Sequence, residues 1–196
     1  SKLDDTLINQ ATTGLTNVAG TSGTYTDASP TGAEAYAKII AAASGSEAVM
    51  LGLGKPTHAV MHSRRWYWLS AALSSTWPLI NSQGIPPQAA GVANPSSAYQ
   101  DGVRGTLPLG LSVVVDNNIG TTLGAGTEDE IYVVPATECH LWEDLNSEPI
   151  FIRAEQTSAA TLGVLLVAYQ YFAYTFARYS GGTQKVAGTG LIAPVF

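Results

Sequence analysis

The sequence predicts an α+β fold, and three observations carry the prediction. Residues 57–62 alternate in the strand manner and run directly into a helix start rich in arginine and tryptophan. Residues 32–43 repeat apolar side chains at helical spacing, and residues 149–178 hold two β-rich runs separated by a short polar interval. The 196 residues are enough for one domain, or one domain and part of another, with a core that needs no disulfides.

The elements follow in order. Leu3, Leu7 and Ile8 are spaced as in the last two turns of a helix. From Ala11 to Pro30 the chain turns to Thr, Gly, Ser and Asp, which predicts an irregular connector, and Ser29-Pro30-Thr31 offers capping and helix-entry chemistry. Ala35, Tyr36, Ile39, Ile40 and Ala43 then form one apolar face of a helix over Gly32 to Ala43. After a glycine-containing interval, Ala59 and Met61 alternate with His58, Val60 and His62, and the Ser63 hydroxyl is placed to cap the next helix.

Between Asn81 and Thr106 lie Gly84, Pro86, Pro87, Gly91, Pro95, Gly102 and Gly105, too many breakers for a helix or a central strand. A long loop is expected there, with room for one short strand, of a length that usually serves a function or leans on a partner. Leu111 to Val115 and Glu130 to Val134 read as strands, the first of them followed by the turn-rich Asp116 to Gly120. Pro149 to Glu155 and Leu162 to Arg178 read as the two strands of a long hairpin. The apolar segment Gly188 to Phe196 is expected to dock rather than fray.

Composition narrows the function. Nine basic residues against fifteen acidic ones give a net charge of −6, with no basic cluster beyond Arg64-Arg65, which disfavours sequence-specific nucleic-acid binding. Only 12% of residues are charged while 45% are apolar, so self-association is expected. A single cysteine, Cys139, excludes an internal disulfide framework and fits a reducing compartment. No basic leader with an apolar core opens the chain, so no secretory signal is expected. The apolar run Leu162 to Phe176 is shorter than the roughly 20 residues a membrane helix needs and is read as a buried strand.

Catalytic and metal sites fail one by one. His58 and His62 have helical ligand spacing, but in a strand they stand roughly 13 Å apart, too far to share a metal. Cys139 and His140 are neighbours in extended chain and point to opposite faces, so they do not make a nucleophile–base pair, and a packed free cysteine is expected. Glu128-Asp129-Glu130 and Glu143-Asp144 lack the ligand spacing of a calcium loop and read as solvated turns. Gly52-Leu53-Gly54-Lys55-Pro56 lacks the glycine spacing and hydroxyl of a phosphate loop. No cofactor, metal, catalytic residue or small-molecule substrate is therefore expected. Arg64, Arg65 and Arg153 present planar forks whose expected use is in salt bridges within or between subunits.

The segment His62 to Leu69 resembles the histidine, small residue, Arg-Arg-Trp, aromatic and leucine pattern of tailed-phage major capsid proteins of the Hong Kong 97-like fold. Further segments agree in order. Leu7-Ile8-Asn9 with Gly14-Leu15-Thr16-Asn17-Val18 resembles the end of that family's spine helix, and Gly105-Thr106-Leu107 with Gly110 to Val115 resembles its glycine-leucine-proline-valine strand, Ser112 standing where proline is usual. Leu141-Trp142-Glu143, Ile152-Arg153-Ala154-Glu155 and the closing Gly188-Thr189-Gly190-Leu191 with Pro194 and Phe196 are similar to its later segments.

The resemblance implies a central mixed sheet flanked by helices. Residues 1–29 would be the end of the spine helix and a connector, 30–140 an axial domain, 141–184 part of a peripheral domain with the long hairpin, and 185–196 a segment returning to the axial domain. It also implies a C-terminal portion lacking an N-terminal arm, an extended loop and most of the spine helix. The implied function is a shell subunit, made in the bacterial cytoplasm, whose hexamers and pentamers build an icosahedral virion head around double-stranded DNA held by non-specific enclosure, without a membrane. An encapsulin-like compartment is the alternative, and a small-molecule enzyme the more distant one. Arg64, Arg65, Trp68 and Arg153 are the candidate interface residues, against an assignment in which the tryptophans are core and the arginines solvated. On that expectation Arg65→Ala weakens assembly more than it weakens subunit melting.

Overall fold

The computed structural model describes residues 2–74, 103–143, 151–158, 163–169, 171–176, 178–179 and 181–195, the side chains of 151–169 excepted. Six strands form the central sheet in the order β1 (Gly20–Thr24), β10 (Gln184–Ala187), β5 (Ile131–Val134), β2 (His58–Met61), β4 (Leu111–Val115) and β3 (Val103–Leu107). It is mixed: β1–β10 and β2–β4 are parallel, the other pairs antiparallel.

Alternation sends the two faces of this sheet into two different cores. Ala59, Met61, Val113, Ile131, Val133 and Val186 meet helices α3 (Gly32–Met50) and α4 (Ser63–Ser74) through Ala35, Ile39, Ala42, Trp66 and Leu69. Tyr132 and Val134, on the opposite face, meet Ile8 of α1 (Lys2–Asn9) and Leu15 of α2 (Leu15–Val18). All four residues of β5 are buried, as a strand covered on both faces must be.

Helix α3 begins where its chemistry says it should. The Thr31 hydroxyl accepts from the Glu34 amide at 3.3 Å and Glu34 Oε2 accepts from the Thr31 amide at 3.1 Å, a reciprocal capping box. It runs to Met50, past the Ala43 end expected from its apolar stripe. The extension holds because Ser46, inside the Ala-Ser-Gly stretch, is buried and donates its hydroxyl to Gly182 O at 2.5 Å, so small residues let the helix lie close to the chain beside it.

Two further expectations change. The connector 11–30 contains α2 and β1, whose Gly-Thr-Ser-Gly-Thr sequence has no alternation; the strand exists because it pairs in parallel with β10, Gly20 opposite Gln184 and Thr24 opposite Ala187. The single strand expected over Leu162 to Arg178 is two strands in different sheets. β8 (Gly163–Tyr169) pairs with β7 (Phe151–Ser158) as the expected hairpin, while β9 (Phe172–Thr175) pairs with β6 (His140–Glu143). Of the expected long loop, 81–102 lies outside the described residues and Val103–Leu107 forms β3.

The C-terminal segment docks as expected. Gly190 N–H donates to Tyr25 O at 2.8 Å, Asp129 N–H donates to Leu191 O at 3.0 Å, and Leu191 is buried. A Cβ at Gly190 would stand 2.6 Å from the Tyr25 ring. Gly190→Ala is therefore expected to cost about 1–3 kcal/mol, visible as a fall of several degrees in the thermal midpoint; an unchanged midpoint would mean that this segment is not packed on Tyr25.

Candidate functional site

The arginine-aromatic start of α4 is held from both sides. His62, not Ser63, is the cap: its carbonyl accepts from the amides of Arg65 at 3.0 Å and Trp66 at 3.2 Å, and its ring Nδ1 accepts from the Arg64 amide at 3.1 Å. Ser63 is already helical, and its amide donates to Asn117 Oδ1 at 3.2 Å. An accepting Nδ1 places the ring proton of neutral His62 on Nε2. Burial lowers the His62 pKa and outweighs the nearby carboxylate of Asp129, which pulls it upward.

Both arginines converge on one carboxylate. Arg64 Nε donates to Asp129 Oδ2 at 2.5 Å and its Nη2 to Thr127 O at 3.1 Å. Arg65 Nε donates to Asp129 Oδ1 at 3.0 Å, and its Nη2 to Asp129 Oδ2 at 3.3 Å and to Ile192 O at 2.7 Å. The side chains of Arg65 and Asp129 are both 0% exposed, while Arg64 keeps an edge in water. Arg65 Nη1 has no hydrogen-bond partner among the described residues, but the guanidinium carbon stands 4.9 Å from the centre of the Trp68 ring, the three-residue neighbour on the helix, whose face attracts a cation.

The acidic run 128–130, read as a solvated turn, is buried along its whole length. Asp129 faces the arginines, and the residues on either side of it face elsewhere. Glu128 Oε1 accepts from the Ala125 amide at 3.2 Å. Glu130 takes Lys185 Nζ at 3.0 Å on one oxygen and the Tyr132 hydroxyl at 2.6 Å on the other. Burial, then the Glu130 charge, pushes the Tyr132 phenol far above its ordinary pKa, so it remains a donor. No sequence spacing signals this arrangement, because the cations come from residues 64, 65 and 185.

The structure locates the expected interface residues within the subunit. Arg65 and Trp68 are interior, spent on contacts within the subunit, and Arg64 is tied to Asp129 and Thr127. Arg153 lies on β7 opposite Val167, and its side chain is outside the described residues. Trp66 is buried as well, so α4 presents Tyr67, 63% exposed, to its surroundings.

The remaining chemical candidates are structural. Cys139 is half-buried with Sγ 3.7 Å from Pro135 O; burial first, then Glu138, pushes its thiol up to about 11, which suppresses the thiolate. His140 stacks on Trp142 at 5.6 Å. His58 Nδ1 is 2.8 Å from Thr57 Oγ1. Beside it, Leu7, Ile8, Val60, Val114, Val134 and Phe176 line an apolar cavity of about 300 Å³. Among the described residues, no three His, Cys, Asp or Glu side chains gather to hold a metal, and no helix is long and apolar enough to cross a membrane.

A family model described as "phage capsid protein" matches residues 2–184. No curated protein matches the chain. Among solved structures, the holo-SrpI encapsulin complex from Synechococcus elongatus PCC 7942 is similar over 100% of this chain and 62% of that one, with TM-score 0.57 and 11% identity. A structure of Mycobacterium phage Che8 is similar over 96% of this chain and 57% of that one, with TM-score 0.51 and 16% identity. The chain thus spans about three fifths of the length of these structures, and at such identity the likeness is one of fold.

Two outcomes follow from the geometry. Asp129→Asn leaves the buried Arg65 without its counterion and is expected to cost about 3–5 kcal/mol of subunit stability, whereas Arg65→Ala leaves Asp129 paired with Arg64 and should cost less. The double variant should lose less than the sum, measured by chemical denaturation, and simple additivity would deny the coupling. His62 and His58 both titrate below the ordinary histidine value, chiefly through burial, so the unfolded chain binds protons more readily than the folded one. The stability linked to them is complete above about pH 6.5 and is lost as the pH falls through the lowered folded values. His62→Asn, which keeps an accepting cap, should flatten that acid limb in melting curves; an unchanged limb would remove His62 as its source.

Proposed function

Because the chain belongs to the phage capsid protein family, we propose that it is a major capsid subunit of a tailed bacteriophage or prophage, made in the bacterial cytoplasm, whose copies assemble as hexamers and pentamers into an icosahedral head around double-stranded DNA. The family match over residues 2–184 carries this reading. The physics of the subunit supports it. A shell protein must withstand pressure from within as a rigid body, and here a sheet buried between two helical layers is locked to its C-terminal segment through Arg65 and Leu191. Asp129 and Glu130 are held in ion pairs inside the subunit, and with only 12% of residues charged the exterior suits repeated contacts with copies of itself.

The net charge of −6 favours enclosure over tight binding of DNA, since an acidic subunit does not displace counterions from phosphates. Exposed apolar side chains lie on several surfaces, including Leu51, Leu53, Leu109 and Trp142, as expected where neighbours meet. The likeness to the Synechococcus encapsulin supports a second reading, a compartment subunit enclosing protein cargo. Both readings give closed particles and differ in content.

Negative-stain microscopy of the purified chain across a concentration series is expected to show closed particles or curved shell fragments. Nuclease-protected DNA inside them supports the phage head, and a co-purifying protein inside them supports the compartment. A single monomeric species at every concentration would overturn the shell reading.

A further inference from the structure

The end of the sheet where β2 and β4 begin has a surface that subunit folding does not account for. Two connections meet there, 51–57 between α3 and β2, and 108–110 between β3 and β4, joined by the Ser112 amide donating to Thr57 O at 2.9 Å. Leu51 has φ 50° and Leu109 has φ 72°, and they are the only non-glycine residues with positive φ among the described residues. Each is followed by a glycine in the same region, Gly52 at 79° and Gly110 at 74°.

A side chain on left-handed backbone costs about 1–2 kcal/mol, which is why glycine or asparagine normally takes such positions. Burial does not offset that cost here. Leu51 is 86% exposed, Leu109 69%, and Leu53, on the same turn as Leu51, 71%. Bulky apolar groups therefore stand on strained backbone at the tips of two adjoining turns, largely uncovered by the described residues. Strain of this kind concentrates where a contact uses it.

Next to these tips is a recess of about 250 Å³ lined by Ile40, Ala43, Leu111 and Leu109, with Glu47 and Lys55 at its edge. Its lining is mixed, with aliphatic groups beside Ser44 and one charge of each sign. A projection and a receptacle of matching chemistry thus lie side by side on one chain, with Glu47 of one copy able to face Lys55 of the next. Such an arrangement is complementary to itself head to tail, the relation that closes into rings.

We propose that this end of the sheet is a contact between neighbouring copies of the chain, in which the leucine tips of one copy, Leu51 and Leu53, enter the recess of the next and Glu47 pairs with the neighbour's Lys55. The inference rests on the shell reading and adds to it a surface and a direction of contact.

The test uses the purified full chain and two kinds of variant. Leu51→Gly with Leu109→Gly relieves the backbone strain, so the subunit should melt no lower than the parent while its self-association, followed by sedimentation velocity, weakens by about tenfold or more. Glu47→Lys and Lys55→Glu should each weaken association, and the two together should restore it, a rescue that a purely structural role would not produce. Association unchanged in the glycine variant, or a double charge exchange no better than the single ones, overturns the contact while leaving the shell reading intact. A parent chain that never associates overturns both.

Discussion

Asp129 accepts two guanidinium groups at the point where β5, the start of α4 and the C-terminal segment converge. A lone carboxylate with no exposure is costly, and so is an arginine in the same condition. Together they are tolerable only in one geometry, because Arg65 must satisfy Asp129 and Ile192 O at once while lying over Trp68. The constraint sets the rotation of α4, and that rotation determines that Trp66 and Leu69 meet the sheet and Tyr67 faces outward. Apolar packing supplies most of the driving force; the ion pair selects which packing is reached.

Much of this was legible in the chain. The alternation at 58–61, the apolar stripe from Ala35 to Ala43, the strand at 111–115 and the hairpin of β7 with β8 are written in local periodicity, and the structure has each of them. The ordered motifs from His62 to Leu191 also identified the family, since patterns of that length carry fold information that composition lacks. What local patterns could not report was distant. β1 has no strand signal of its own, and the acidic run 128–130 looked like solvent-facing turn because its cations stand far off in sequence. For the same reason the spacing of Arg65 and Trp68 marks them as neighbours on one helix face but not the depth at which they lie.

Among the described residues, most of the buried polar chemistry is turned inward. Asp129 faces two arginines and Glu130 faces Lys185 and Tyr132 across short distances, which commits these groups to structure. The half-buried thiol is held protonated, and the apolar cavity beside His58 is lined mostly by aliphatic side chains.

The pairing of β1 with β10 bears on when the subunit takes shape. Gly20 finds its partner at Gln184, and β10 also separates β1 from β5, so the sheet has a vacant lane until that late segment arrives. Long-range closure of this kind is slow relative to hairpin or helix formation. Residues 184–192 both seal the sheet beside β1 and give Arg65 its carbonyl partner. One segment distant in sequence thereby completes an edge of the sheet and the surroundings of a buried cation in the same event.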